Sequence, residues 1–180
     1  MAQDVESLKH EVKAEKNCLI WLWLAVIVVA ADLFTKHLAI TYLQYADPNP
    51  VLPVFDLTLL FNKGAAFSFL SEAGGWQRWF FTAIAVVVSI MLVLWLQKTQ
   101  RRYWWLGLGL SMILGGAVGN LYDRVVQGYV IDFISLHYDN YYFPAFNLAD
   151  TAITLGAILL IVDMLFLEAK RNKKEETENE

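Results

Sequence analysis

The chain has little of several things that define common function classes: one cysteine, three histidines and four prolines in 180 residues, with 18% of residues charged. A single cysteine, Cys18, excludes an intramolecular disulfide framework and any multi-cysteine metal site. The net charge of −4 withholds the basic face that nucleic-acid binding needs. His10, His37 and His137 are scattered, with no His-Glu-x-x-His pattern, which argues against a zinc hydrolase. No Gly-x-Ser-x-Gly context is present either, which argues against a serine nucleophile. Charged content also falls short of the roughly one quarter usual in soluble domains. What the chain has in plenty is apolar surface: 57% hydrophobic and 14% aromatic residues, enough to exclude disorder over most of its length. That balance describes an integral membrane protein.

Four apolar stretches carry the assignment: Cys18 to Ile40, Trp79 to Leu96, Tyr103 to Leu121 and Ala145 to Leu167. A span needs about 20 mostly apolar residues to cross a hydrocarbon core about 30 Å thick. The third is the weakest, being interrupted by Gly107, Gly109, Gly115, Gly116 and Gly119. Small residues at Gly107, Ser111, Gly115 and Gly119 recur every four positions, a stripe along which another helix can approach closely. The first span lacks a small-residue cleavage site and its apolar run is too long for a signal-peptide core, so it reads as a retained helix. Cys18 follows Lys16 and Asn17 and reads as a buried thiol, not a lipid-attachment site. The expected fold is an all-α membrane protein with four transmembrane helices and a small extracytoplasmic β-containing segment.

Basic residues give the orientation. Lys9, Lys13, Lys16, Lys98, Arg101, Arg102, Lys170, Arg171, Lys173 and Lys174 fall on one side; Lys36, Lys63, Arg78 and Arg124 fall at the other. Ten against four places both termini in the cytoplasm. Trp21, Trp23, Trp76, Trp79, Trp95, Trp104 and Trp105 lie near helix ends, as interfacial anchors do. The organisation expected is a charged extension over 1–17, a membrane domain over 18–168 with outward segments 41–78 and 122–144, and a charged, disordered tail over 169–180. Within the first outward segment, Asp47 to Pro53 is turn-rich and Val54 to Phe61 reads as β-structure.

Five acids lie in or beside spans: Asp32, Asp123, Asp132, Asp150 and Asp163. A charge at mid-bilayer costs about 2.5 to 17 kcal/mol, so each needs a reason. Asp163 lies about 20 Å along the helix from Asp150 and reads as an interfacial residue pairing with Lys170 or a neighbour. The other four gather toward the outer side. Asp132 sits between Val130-Ile131 and Phe133-Ile134, where desolvation raises a carboxyl pKa. Asp150 opens the fourth helix, whose N-terminal dipole favours the ionised form. Two acids pushed apart in this way suit acid/base chemistry on a water molecule, with a bell-shaped pH profile, if they converge. Each also has a plainer role. Asn147 and Asp150 have capping spacing, Arg124 can complement the helix dipole or pair with Asp123, and Asp32 and Lys36 form an i,i+4 pair.

The blocks Asp32-Leu-Phe-Thr-Lys36, Asn62-Lys-Gly-Ala-Ala-Phe67, Gly115-Gly-Ala-Val-Gly-Asn-Leu-Tyr-Asp-Arg124, Val130-Ile-Asp-Phe133 and Phe146-Asn-Leu-Ala-Asp150 are similar, in this order, to those of bacterial lipoprotein signal peptidases, or signal peptidase II. The likeness spans about residues 18 to 168; Leu33 stands where the family often has glutamine, and the charged N-terminal extension is longer than the family requires. The resemblance implies an aspartic endopeptidase of the bacterial inner membrane, working at the extracytoplasmic face without metal or cofactor. It implies cleavage of prolipoprotein signal peptides before a diacylglyceryl-modified cysteine, with membrane lipid as surroundings. Asp132 and Asp150 would be the catalytic dyad; Asn62, Gly64, Asn120, Arg124 and Asn147 would line the substrate site; Asp32, Lys36 and Asp123 would hold the architecture. The segment around Asn62 to Phe67 is expected to cover the site. A proton-coupled carrier and a non-catalytic scaffold are the competing classes, the first disfavoured because the acids gather at one face instead of stepping through the bilayer.

Overall fold

The structure is a computed structural model that describes residues 17–64, 75–139 and 141–167. The charged extension before Asn17, the tail and the covering segment beyond Gly64 lie outside the described residues. Among the described residues, a 3-10 turn at Cys18–Trp21 runs into α1 (Leu22–Tyr42), followed by β1 (Asn49–Leu52), β2 (Phe55–Asn62), α2 (Trp76–Lys98), α3 (Trp104–Val126), β3 (Val130–Tyr138), β4 (Tyr141–Tyr142) and α4 (Leu148–Val162), which ends in a π turn at Asp163–Leu167. All four helices are long and apolar enough to cross a membrane once their end turns are counted.

α3 is the helix around which the others are arranged; it packs against α1, α2 and α4. Its span is 61% buried, against 17%, 11% and 17% for the other three, and its mean hydropathy of 1.3 is the lowest of the four. The two facts have one cause. A helix enclosed by protein needs small residues for close approach more than it needs lipid-loving ones. The Gly107-Gly115-Gly119 stripe does face the first helical segment, where a β-carbon on Gly115 would fall 2.6 Å from Val28 Cβ. A second stripe, Gly109 and Gly116, faces α4, and a β-carbon on Gly116 would strike the Ala149 carbonyl. Both lie two turns apart, and Gly156 of α4 meets Gly109 from the other side.

At one end of the bundle the Cys18 amide donates to Thr99 O (2.9 Å), joining the start of the first helix to the α2–α3 loop. At the other end lies a four-stranded antiparallel sheet in the order β1-β2-β3-β4. β2 falls where the alternating sequence placed it. β1 occupies part of the stretch read as turns; Pro50 is tolerated because β1 is an edge strand. β3 occupies part of the outward segment 122–144, and α3 continues to Val126, so Asp123 and Arg124 are helical. Gly128, with φ of +87°, turns the chain from α3 into β3, and its amide donates to Asp123 O (3.2 Å). Ile131 and Phe133 pack with Leu59 and Ala39. Strand alternation therefore turns Asp132 to the opposite face. Phe146 pairs with Ile134 through amide bonds in both directions (2.9 and 3.0 Å), which fastens the start of α4 beside β3.

Candidate active site

An apolar groove of about 780 Å³ opens between α1 and α2 and has Leu114, Gly115 and Val118 of α3 for its floor. It is lined by no titratable side chain, so the chemistry has to lie elsewhere. The candidate site lies where α3, α4 and the sheet meet; the site residues read from the sequence gather there, whereas Asp163 lies in the π turn that ends α4.

The sheet supplies Asp132, opposite Leu60 on β2. Asn62 stands two residues beyond Leu60 on the same face, a diagonal neighbour within side-chain reach. Its Nδ2 donates to Asp132 Oδ2 (3.0 Å), while its Oδ1 accepts the Gly64 amide (2.8 Å). Gly64 has φ of +91°, and a β-carbon there would lie 2.6 Å from the Phe81 ring of α2, so glycine is required on both counts. Helix α4 supplies Asn147 and Asp150. Asn147 is its N-cap, and with Asp150 it forms a capping box: Asp150 N donates to Asn147 Oδ1 (2.9 Å) and Asn147 N to Asp150 Oδ2 (3.3 Å). The capping arrangement expected from the spacing is therefore present. From the cap position, Asn147 Nδ2 also reaches Asp132 Oδ1 (2.7 Å). Helix α3 supplies Asn120, whose Nδ2 donates to Asp150 Oδ1 (2.7 Å).

Behind these residues lies an ion cluster. Lys36 Nζ is 2.7 Å from Asp32 Oδ2 and 2.8 Å from Asp123 Oδ2, and all three side chains are essentially inaccessible. The i,i+4 pairing of Asp32 with Lys36 is therefore present. Asp123 proves to be the second partner of Lys36, not the partner of Arg124. Both acids also hold backbone: Ala149 N donates to Asp32 Oδ1 (2.9 Å) and Ile131 N to Asp123 Oδ2 (3.2 Å). Lys36 in turn donates to Asn120 Oδ1 (2.9 Å). Arg124, one turn beyond Asn120, donates to Asn120 O (3.3 Å) and lies 5.5 Å over the Phe81 ring, near enough to Asp150 and Asp132 for their charges to act on it. Phe81 had no signal in the sequence that separated it from any other apolar residue of α2.

The three amides share a logic. The oxygen of Asn62 is taken by a backbone N–H, that of Asn147 by another and that of Asn120 by the lysine ammonium, so each turns N–H toward a carboxylate. The electrostatics of the two acids nonetheless differ. Burial pushes the Asp132 carboxyl up to about 7; the hydrogen bond from Asn62 opposes this, the Asp150 charge adds to it, and the Asn147 bond and Lys36 charge oppose it. Asp132 is 2% exposed, whereas Asp150 is only partly buried. Among the described residues, no three His, Cys, Asp or Glu side chains gather as a metal site.

A pair of aspartates held by amides at one end of a four-helix membrane bundle is a constellation that can be compared with known proteins. The family profile described as "Signal peptidase (SPase) II" matches residues 24–166. The chain belongs to the signal peptidase II family. A protein named lipoprotein signal peptidase from Acinetobacter baumannii is 57% identical over 155 residues, 86% of this chain and 88% of its own length. One of the same name from Acinetobacter baylyi is 51% identical, covering 90% of each chain. A solved bacterial membrane enzyme superposes with a TM-score of 0.73 at 34% identity, over 85% of this chain and 98% of its own. As a signal peptidase II the chain is a protease with membrane-spanning helices, and the region just described is its candidate active site.

Proposed function

We propose that this peptidase removes signal peptides from prolipoproteins on the N-terminal side of the diacylglyceryl-modified cysteine, using Asp132 and Asp150 to activate one water. The observation that carries the reading is the meeting of two carboxyls from different elements on one asparagine, Asn147, one of them raised to about 7 and the other anchored at a helix N-terminus. Asp132 is then the acid and Asp150 the base. Asp150 takes a proton from water as the water oxygen bonds to the scissile carbonyl carbon, and Asp132 gives its proton to the carbonyl oxygen. In the resulting gem-diol the carbon–nitrogen bond breaks, the proton on Asp150 passes to the leaving nitrogen, and a hydroxyl proton returns to Asp132. The products are a carboxyl end and a free amine, and both aspartates regain their starting states.

Asn62, Gly64 and Arg124 border the same space and are the side proposed to meet the peptide, with Arg124 the cation available to a carbonyl or developing oxyanion. The preponderance of basic residues around Cys18 and the α2–α3 loop supports a cytoplasmic location for that end and an extracytoplasmic location for the sheet and the site, in the inner membrane. That depth suits a substrate whose cleavage point is anchored by its own lipid. The test is direct. Asp132→Asn and Asp150→Asn, each purified in detergent and offered a diacylglyceryl-modified prolipoprotein, should fold and yield no cleaved signal peptide. Cleavage at the parent rate by either variant would end the dyad assignment, and a carrier would instead lose ion flux with no peptide product. In the parent enzyme, cleavage should decline as pH rises through about 7, because Asp132 then loses the proton it must donate.

A further inference from the structure

The resemblance places Asn147 among the residues lining the substrate site, but its surroundings leave nothing for a substrate to touch. Its side chain is fully buried. Its Oδ1 accepts from Asp150 N (2.9 Å), and its carbonyl accepts from the Thr151 amide (3.1 Å) and hydroxyl (3.0 Å). Its two Nδ2 protons face three acceptors: Asp132 Oδ1 at 2.7 Å, and Ile131 O and Asn120 Oδ1 each at 3.2 Å. Its own amide donates to Asp150 Oδ2 (3.3 Å). Among the described residues, it alone hydrogen-bonds to both aspartates.

We infer that Asn147 is a positioning residue, which caps α4 and from that cap fixes Asp132 against Asp150 without contacting the peptide. This rests on the dyad reading above. The cap makes the arrangement stiff, because the side chain that starts the helix is the one that aims at the strand. Any rotation of α4 relative to β3 would have to break either the cap or the Asp132 bond. The bond also acts on charge: an N–H aimed at the Asp132 carboxylate favours its ionised form and restrains the rise that burial causes. The other groups acting on Asp132 are Asn62 from β2, Asp150 from α4 and Lys36 from α1, with Arg124 and Asp123 of α3 and Asp32 of α1 close by in the same network.

The two duties of Asn147 can be separated. Serine caps a helix about as well as asparagine, but it is too short and has no amide to reach Asp132. In the full-length enzyme, Asn147→Ser should still fold, with a lowered thermal transition because Asp132 and Ile131 O lose a buried donor, and should bind an uncleavable diacylglyceryl-modified peptide as the parent does. KM should stay within about twofold while kcat falls about 10- to 100-fold, the loss typical of misplacing a catalytic group by a fraction of its reach. The basic limb of the kcat profile should move to higher pH, because the bond that restrained Asp132 is gone. A merely structural role would leave that limb in place. Raised KM with kcat preserved, or an unmoved basic limb, would overturn the inference. Asn147→Thr, which keeps the same cap, serves as the second variant, and failure of both to fold would contradict the claim that a hydroxyl cap suffices. Asp132→Asn and Asp150→Asn assayed in parallel keep the two ideas apart. If both are inactive while Asn147→Ser shows a KM defect, the dyad stands and the positioning role falls.

Discussion

Two pairs of aspartates share one buried network, and they are satisfied in opposite ways. Asp32 and Asp123 have a lysine between them, with Nζ to carboxylate distances of 2.7 and 2.8 Å. Asp132 and Asp150 have asparagines: Asn62 and Asn147 on the first, Asn120 and the Asn147 amide on the second. The inner pair sits on a full counter-charge and holds the Ala149 and Ile131 amides where α4 and β3 begin their approach. Neutral amides satisfy hydrogen-bonding geometry without cancelling charge, so burial can still push Asp132 up to about 7. The proposed mechanism asks Asp132 to exchange a proton, and amides hold that carboxyl in place without adding a full positive charge against it.

The sharpest way to break this contrast is to remove the counter-charge. Lys36→Met leaves Asp32 and Asp123 buried and unpaired, which should lower stability by about 3–5 kcal/mol, measured by chemical denaturation in detergent. The triple variant Asp32→Asn, Lys36→Met, Asp123→Asn should recover much of that loss, since each new asparagine can still accept the Ala149 or Ile131 amide. A triple variant no more stable than Lys36→Met would show that the charge itself is not what the cluster requires. A smaller effect is expected where α4 is seated on α3. Gly116→Ala would drive a methyl into the Ala149 carbonyl, one residue from Asp150. Overpacking of this kind costs about 1–3 kcal/mol. It should also displace Asp150, so cleavage should fall by more than the loss of folded enzyme accounts for, as quantified by activity per folded molecule.

The spans were legible because hydropathy is a local property, and the stripe at Gly107, Ser111, Gly115 and Gly119 announced a packing face. The second stripe, Gly109 and Gly116, follows from the same rule at a spacing of seven, so both faces of α3 were available to be read. β3 was harder. Val130-Ile-Asp-Phe-Ile134 drew attention for the acid it surrounds, but a short apolar run beside a span gives no periodicity that distinguishes strand from helix. The pairing of Asp123 with Lys36 had no signal at all, since they stand 87 positions apart and the adjacent Arg124 offered a nearer partner. Asp132 and Asp150 stood out as acids in unlike surroundings. That Asn147 joins them depends on Phe146 pairing with Ile134, a contact visible only once the sheet exists.

The asymmetry of the two catalytic candidates can be measured most directly by infrared difference spectroscopy of carboxyl groups in the detergent-solubilised enzyme, titrated from acid to alkaline pH. A protonated-carboxyl band should disappear with a midpoint near pH 7, be missing in Asp132→Asn, and persist in Asp150→Asn with its midpoint displaced to lower pH, because the Asp150 charge no longer helps to hold the proton on Asp132. A band that vanishes in Asp150→Asn and survives unshifted in Asp132→Asn would reverse the roles of acid and base. Absence of any such band near neutrality would contradict the account.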